Sequence, residues 1–351
     1  MENKIIEKQN MDLLVEKLIS GGEAEVIGPK RKDNKYVFGK LCDASELCLD
    51  YDLAYYSPTK NYLLPPKETL IKFTLGKEPK VEPVVEARPI ILFGVHPHDI
   101  KALELFDAAF STTHPDINYL SRREKATIIG IDCLNPNPNA FCASLGTATT
   151  DTGFDLMLTD IGERYVVAIG SAKGEGLLRK YAKTREASQS ELAQRDEERR
   201  KALARYKVTL NVSIDDVPRL LDESWDSPVF KEKSEKCLSC GSCVMVCPTC
   251  FCFDVQDDLT LDLKQGERYR QWDGCMLIDF ALVAGGENFR SDGESRFRHR
   301  MYRKMKYLRE RYGKLGCVGC GRCKTACLAD IAGPADTINQ IKEESLTKGG
   351  K

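Results

Sequence analysis

The chain has 351 residues, a formal net charge of −1, 30% charged and 42% apolar side chains. That balance describes a soluble globular protein with room for two cores, without a basic field for nucleic acid, and no apolar run reaches the roughly 18 residues a membrane helix needs. The amino terminus, MENKIIEKQNMDLLVEKL, is charged and amphipathic rather than an export signal, so the fifteen cysteines point to reduced thiols, metal ligation and a cytoplasmic setting.

Residues 11–19, MDLLVEKLI, have the apolar spacing of a surface helix, and AEVIGPKRKDNKYVFGKL after them predicts strand, turn, strand. Residues 57–70, SPTKNYLLPPKETL, predict a proline-rich connection leading into a helix. Cys42 and Cys48 have no ligand partner at useful spacing and are expected to be buried thiols. The runs IILFGV (90–95), ATIIGI (126–131) and YVVAIG (165–170), with helical patterns at 100–110 and after SAKGEG, predict an α/β domain. The glycines of IGSAKGEG form neither G-x-G-x-x-G nor Walker A, and fit a helix start that needs small residues. Residues 184–206 are intensely charged and predict an exposed helix. The α/β unit is expected to span residues 1–228, followed by a cysteine-rich domain at 229–335 and a tail at 336–351, its end KEESLTKGGK disordered.

The cysteine-rich domain contains one pattern twice. K-C-L-S-C-G-S-C-V-M-V-C-P carries Cys237, Cys240, Cys243 and Cys247; G-C-V-G-C-G-R-C-K-T-A-C-L carries Cys317, Cys320, Cys323 and Cys327, each 80 residues from its counterpart. C-x2-C-x2-C-x3-C is the spacing of bacterial-type [4Fe-4S] ligation, in which the fourth cysteine serves the other cluster. Cys237, Cys240, Cys243 and Cys327 are therefore expected to hold one [4Fe-4S] cluster, and Cys317, Cys320, Cys323 and Cys247 a second. Zinc prefers paired C-x2-C units around one tetrahedral ion, which a triplet plus one fits poorly.

C-P-T-C-F-C-F-D (Cys247 to Asp254), R-Q-W-D-G-C (Arg270 to Cys275), G-G-E-N-F-R (Gly285 to Arg290) and C-V-G-C-G-R-C give the chain a family resemblance. It resembles the dicluster iron–sulfur subunits of anaerobic sulfite reductases and the beta subunits of sulfhydrogenases and cytoplasmic NiFe hydrogenases. In the first half the resemblance rests on G-V-H-P-H-D (Gly94 to Asp99), Tyr119 to Arg123 and the Cys133 to Gly146 loop. It implies a mainly helical ferredoxin-like domain with helices in the 69 residues between the motifs. It also implies an electron-transfer subunit that links a flavoprotein subunit oxidising NAD(P)H to a catalytic hydrogenase or sulfite/sulfur reductase subunit. The alternative is a reductase whose own α/β domain binds a flavin or substrate; a labile-cluster sensor lacks any DNA-binding motif.

Within the insert, MLIDFALVA (276–284) is expected to form an apolar helix over the clusters, and 294–312 a basic one. Arg296, Arg298, Arg300, Arg303 and Lys304 either balance cluster charge, dock an acidic partner or form a solvated face with Phe297, Met301 and Leu308 inward. Cys250, Cys252 and Cys275 are read as small packing groups rather than ligands. The resemblance also implies extra cysteines near His98 and Ala140 in relatives, where Cys133, Cys142 and His98 would form a third [4Fe-4S] site; buried thiols and a hydrogen-bonded His98 are the default. Leu328 stands where the first motif has Pro248, which restores a backbone N–H and leaves the thiolate ligand in place.

Overall fold

The computed structural model describes residues 2–349. The strands of its first half are β1 (Asn3–Glu7), β2 (Glu25–Lys32), β3 (Lys35–Lys40), β4 (Lys67–Thr74), β5 (Lys80–Pro83) and β6 (Ile90–Val95). Those that follow are β7 (Ala126–Ile131), β8 (Leu156–Asp160), β9 (Arg164–Ile169), β10 (Arg185–Glu186), β11 (Phe253–Leu259) and β12 (Gln265–Trp272). The larger sheet has the order β10-β1-β9-β8-β7-β6-β2-β3, with β2, β6, β7 and β8 parallel. Both faces of that parallel centre are covered, which is why IILFGV and ATIIGI are buried at every position and, Thr127 apart, do not alternate with polar residues. Ile91, Phe93, Ile129 and Ile131 pack with Leu14 and Leu18 of the helix Lys8–Ser20. Ile90, Leu92 and Ile128 pack on the opposite face with Leu103 and Phe106 of the helix Pro97–Phe110.

The α/β reading of the first half holds. Ser171 caps the helix Ala172–Tyr181 by accepting from the Gly174 N–H, and a Cβ at Gly174 would lie 2.1 Å from the Asp155 carbonyl oxygen. The small residues of IGSAKGEG therefore serve close helix–sheet packing. The connection at 57–70 does not lead into a helix: a short helix at Pro58–Leu63 precedes strand β4, whose KETLIKFT alternates with a period of two. Cys42 is exposed and Cys48 half-buried, so neither is a core thiol.

The insert between the cysteine motifs is not simply helical. It contains the antiparallel hairpin β11–β12, whose second strand pairs with β4, giving a four-stranded sheet in the order β11-β12-β4-β5. Alternation in FDVQDDL and QGERYRQW favours strands once β4 offers a partner edge. MLIDFALVA is not a covering helix either: it makes one 3-10 turn, Ile278–Ala281, and leaves Ile278, Leu282 and Val283 exposed. The basic stretch is helical, from Gly293–Tyr302 through a π-helical turn, Arg303–Tyr307, to Leu308–Tyr312. The end of the chain is ordered further than its composition suggested, in a helix at Pro334–Gly349. Ala335, Ile338 and Ile341 recur on one face and are buried against the cysteine-rich core, which supplies the order that a polar tail lacks. Gly350 and Lys351 lie outside the described residues.

The shared small sheet closes over a buried charge cluster. Arg270 of β12 donates to Glu68 of β4 at 2.6 Å and to Asp116, and Arg122 also donates to Glu68. Removing one member leaves charge behind in a dry site, at a cost of about 3–5 kcal/mol. Arg270→Ala should lower stability to denaturant by that amount, whereas Arg268→Ala, which breaks an exposed pair with Asp257, should lower it far less. Equal losses would mean that the cluster does not join the two halves of the chain.

Candidate iron–sulfur centres

The two cysteine loops have the same backbone. Gly241 (φ +72°) and Gly321 (φ +80°) are both left-handed and each opens a one-turn helix, Ser242–Met245 and Arg322–Thr325. Two residues earlier, Ser239 (φ +51°) and Gly319 (φ +67°) are also left-handed. Their N–H groups donate to Cys237 Sγ and Cys317 Sγ, each at 3.4 Å. This fold turns successive thiols to one side of each loop and hydrogen-bonds the first of them, as a charged sulfur requires.

Cys237, Cys240 and Cys243 line a cavity, and Cys327 from the other motif completes its wall. Met276 and Phe297 close the interior side, while Cys240 and the neighbouring Leu238 and Leu328 are exposed. The second loop lies deeper: Cys317, Cys320, Cys323 and Cys247 are all buried. Burial pushes the Cys317 and Cys320 thiols up to about 12, and Cys247 lies close enough to add to both shifts. Cys247 itself is held below the ordinary thiol range by hydrogen bonds from Cys250 and Lys304.

Three buried cations face these sulfurs. Lys304 Nζ donates to Cys247 Sγ at 2.9 Å and Cys250 Sγ at 3.4 Å. Arg300 donates to the Ala332 carbonyl at 2.9 Å, with Nε and Nη1 unpartnered. Lys60 donates to the Met245 carbonyl at 3.1 Å and lies 3.8 Å over the Trp272 ring; burial lowers its pKa to about 8. None of the three has a carboxylate partner among the described residues. Cysteine-lined space, N–H groups aimed at sulfur and buried cations without carboxylates together fit a thiolate-held group of net negative charge.

Of the five basic residues singled out in the sequence, Arg300 and Lys304 reach the thiols. Arg296 donates to the Arg290 and Ser291 carbonyls and to Ser239, Arg298 pairs with Glu294, and Arg303 lies over the Phe251 ring. Lys60 was not foreseen, nor was Arg322, which occupies the place of Ser242 in the other copy. Arg322 grips Asp99 with two bonds of 2.7 and 2.6 Å and donates to the Ala54 carbonyl at 2.8 Å, fully buried. Burial opposes the charge on Asp99, yet Arg322 and His98 hold it below the usual carboxylate range. An arginine at a repeat position that is serine in the sister motif was the available signal.

His98, Cys133 and Cys142 are all buried. His98 Nε2 lies 3.4 Å from Asp99, and burial lowers its pKa. Cys133 and Cys142 are buried near one another, Cys142 beside Cys320, with both thiols raised by burial. Among the described residues no three histidine, cysteine or acidic side chains converge at single-ion distances.

Residues 236–331 match the model of a family described as a 4Fe-4S dicluster domain. Over 322 residues the chain is 36% identical to the sulfhydrogenase 2 subunit beta of Pyrococcus furiosus, a match that covers 91% of this chain and 92% of that one. With the paired cysteine loops and their cations in place along the same span, the chain belongs to the iron–sulfur family of sulfhydrogenase beta subunits.

Proposed function

We propose that the protein is an electron-relay subunit of a cytoplasmic multi-subunit oxidoreductase, linking a flavoprotein subunit that oxidises NAD(P)H to a catalytic hydrogenase or sulfite/sulfur reductase subunit. The observation that carries this reading is the wall of the first cavity, where Cys327 joins Cys237, Cys240 and Cys243 from 80 residues away. Cys237, Cys240, Cys243 and Cys327 would hold one [4Fe-4S] cluster, and Cys317, Cys320, Cys323 and Cys247 the other. Clusters so held supply one-electron acceptance and donation at potentials set by their surroundings. Exchanging the fourth ligands fastens the loops to each other, and the loop-closure cost grows only logarithmically with the intervening length. Lys304 and Arg300 offset negative charge, and burial around Cys317 and Cys320 excludes water.

The reading of a reductase with its own flavin has less support. In open parallel sheets, ligands bind beyond the carboxyl ends of the strands. Here that space is filled by the second cysteine loop, with Arg322 bound to Asp99 just past β6 and Gly319 packed on Phe141 and Cys142.

Two measurements test the relay. Cys247→Ser should remove or alter the spectroscopic component that Cys317→Ser and Cys320→Ser affect, lowering iron by up to about four atoms per chain. Cys327→Ser should do the same for the component of the first triplet. If Cys247→Ser reproduces the loss seen in Cys240→Ser instead, each motif serves its own cluster. Lys304→Met removes a cation from beside Cys247 and should lower the reduction potential of the second-triplet component in a redox titration. An unchanged or raised potential would show that Lys304 does not balance charge there.

A further inference from the structure

Cys250, Cys252 and Cys275 remain outside the eight motif ligands, and the fold brings them to one place. Cys252 and Cys275 flank the two ends of the β11–β12 hairpin, where Phe253 pairs with Trp272 and the Asp273 N–H donates to the Cys252 carbonyl at 3.1 Å. Gly274 allows the next approach, since a Cβ there would lie 2.5 Å from a Val244 methyl. The three cysteines line one small cavity together with Arg300 and Lys304.

Cysteines acting as small packing groups would need no charge beside them. The wall instead includes Arg300 and Lys304, with 1% and 3% exposure. Two guanidinium nitrogens of Arg300 lack any partner among the described residues, and Lys304 Nζ lies 3.4 Å from Cys250 Sγ. The two unpartnered guanidinium nitrogens of Arg300 are costly to bury, which favours a negative group against this wall. Three thiols leave a structural zinc site one ligand short of the four it takes.

We propose that Cys250, Cys252 and Cys275 hold a third iron–sulfur cluster, ligated by three thiolates and charge-balanced by Arg300 and Lys304. The proposal rests on the reading of the eight motif cysteines as ligands of two other clusters. Lys304, bonded to both Cys247 and Cys250, then stands between the second-triplet site and this one.

Iron, acid-labile sulfide and native mass of the anaerobically purified full chain test it. The expected inventory is about eleven to twelve irons per chain, against about eight for two cubanes alone. Cys252→Ser and Cys275→Ser should each lose about three to four irons and retain the spectroscopic components of both motif clusters. Should these variants fail to fold, the native mass of the wild-type chain decides, because a mass equal to two clusters overturns the proposal. It is also overturned if the additional iron is lost on Cys133→Ser or Cys142→Ser and kept in Cys275→Ser, or if the additional metal is zinc. A chain without iron would overturn the relay reading itself, a result distinct from a chain with two clusters.

Discussion

The cysteine-rich half depends on one electrostatic constraint, the burial of Lys304, Arg300 and Lys60 without carboxylates among the described residues. Moving a cation out of water costs several kcal/mol even after relaxation, and the donors of an apolar core cannot return that. Sulfur is the anion available, and Cys247 is shifted toward thiolate by Cys250 and Lys304. Cys317 and Cys320 are pushed the other way by burial. Neutral buried thiols leave the cations uncompensated, whereas metal ligation deprotonates the thiols and supplies the missing charge. Folding of this region and loading of its cysteines are thereby coupled.

A second buried interaction ties that region to the sheet. Arg322 sits inside the second cysteine motif and holds Asp99 at the start of the helix after β6, with Ala54 as a further acceptor. Gly319 and Gly321 press the same loop onto residues 139–142 so closely that a Cβ at either would meet backbone at 2.7 Å. The small sheet adds a third tie, since β4 comes from the first half and β12 from the insert. The α/β half therefore acts as a rigid backing for the second cysteine loop, and its parallel strands aim their carboxyl ends at that loop.

Much of this was legible in the sequence where the signal is local. Apolar runs gave β6 and β7 at their observed ends, and the repeat spacing placed every motif cysteine on one of two like loops. What escaped depends on partners distant along the chain. KETLIKFT became strand because β12 pairs with it, and MLIDFALVA stayed nearly unwound although its composition suits a helix. The tail became helix because Ile338 and Ile341 find a core that lies elsewhere in sequence. Lys60 gives no local sign of its role, since its carbonyl partners Val244 and Met245 lie more than 180 residues away.

The exposure of the thiols differs between the two motifs. Cys240 is exposed and flanked by the exposed side chains of Leu238 and Leu328, so the first triplet opens to the protein surface. The second triplet is buried, with its loop packed against the α/β half. Beside Cys247, Lys304 also bonds Cys250, and Cys250 and the hairpin-held Cys252 are both half-buried. Leu328, 88% exposed beside Cys327, lies at the same opening, so its departure from the proline of the first motif leaves the buried wall of the cavity unchanged.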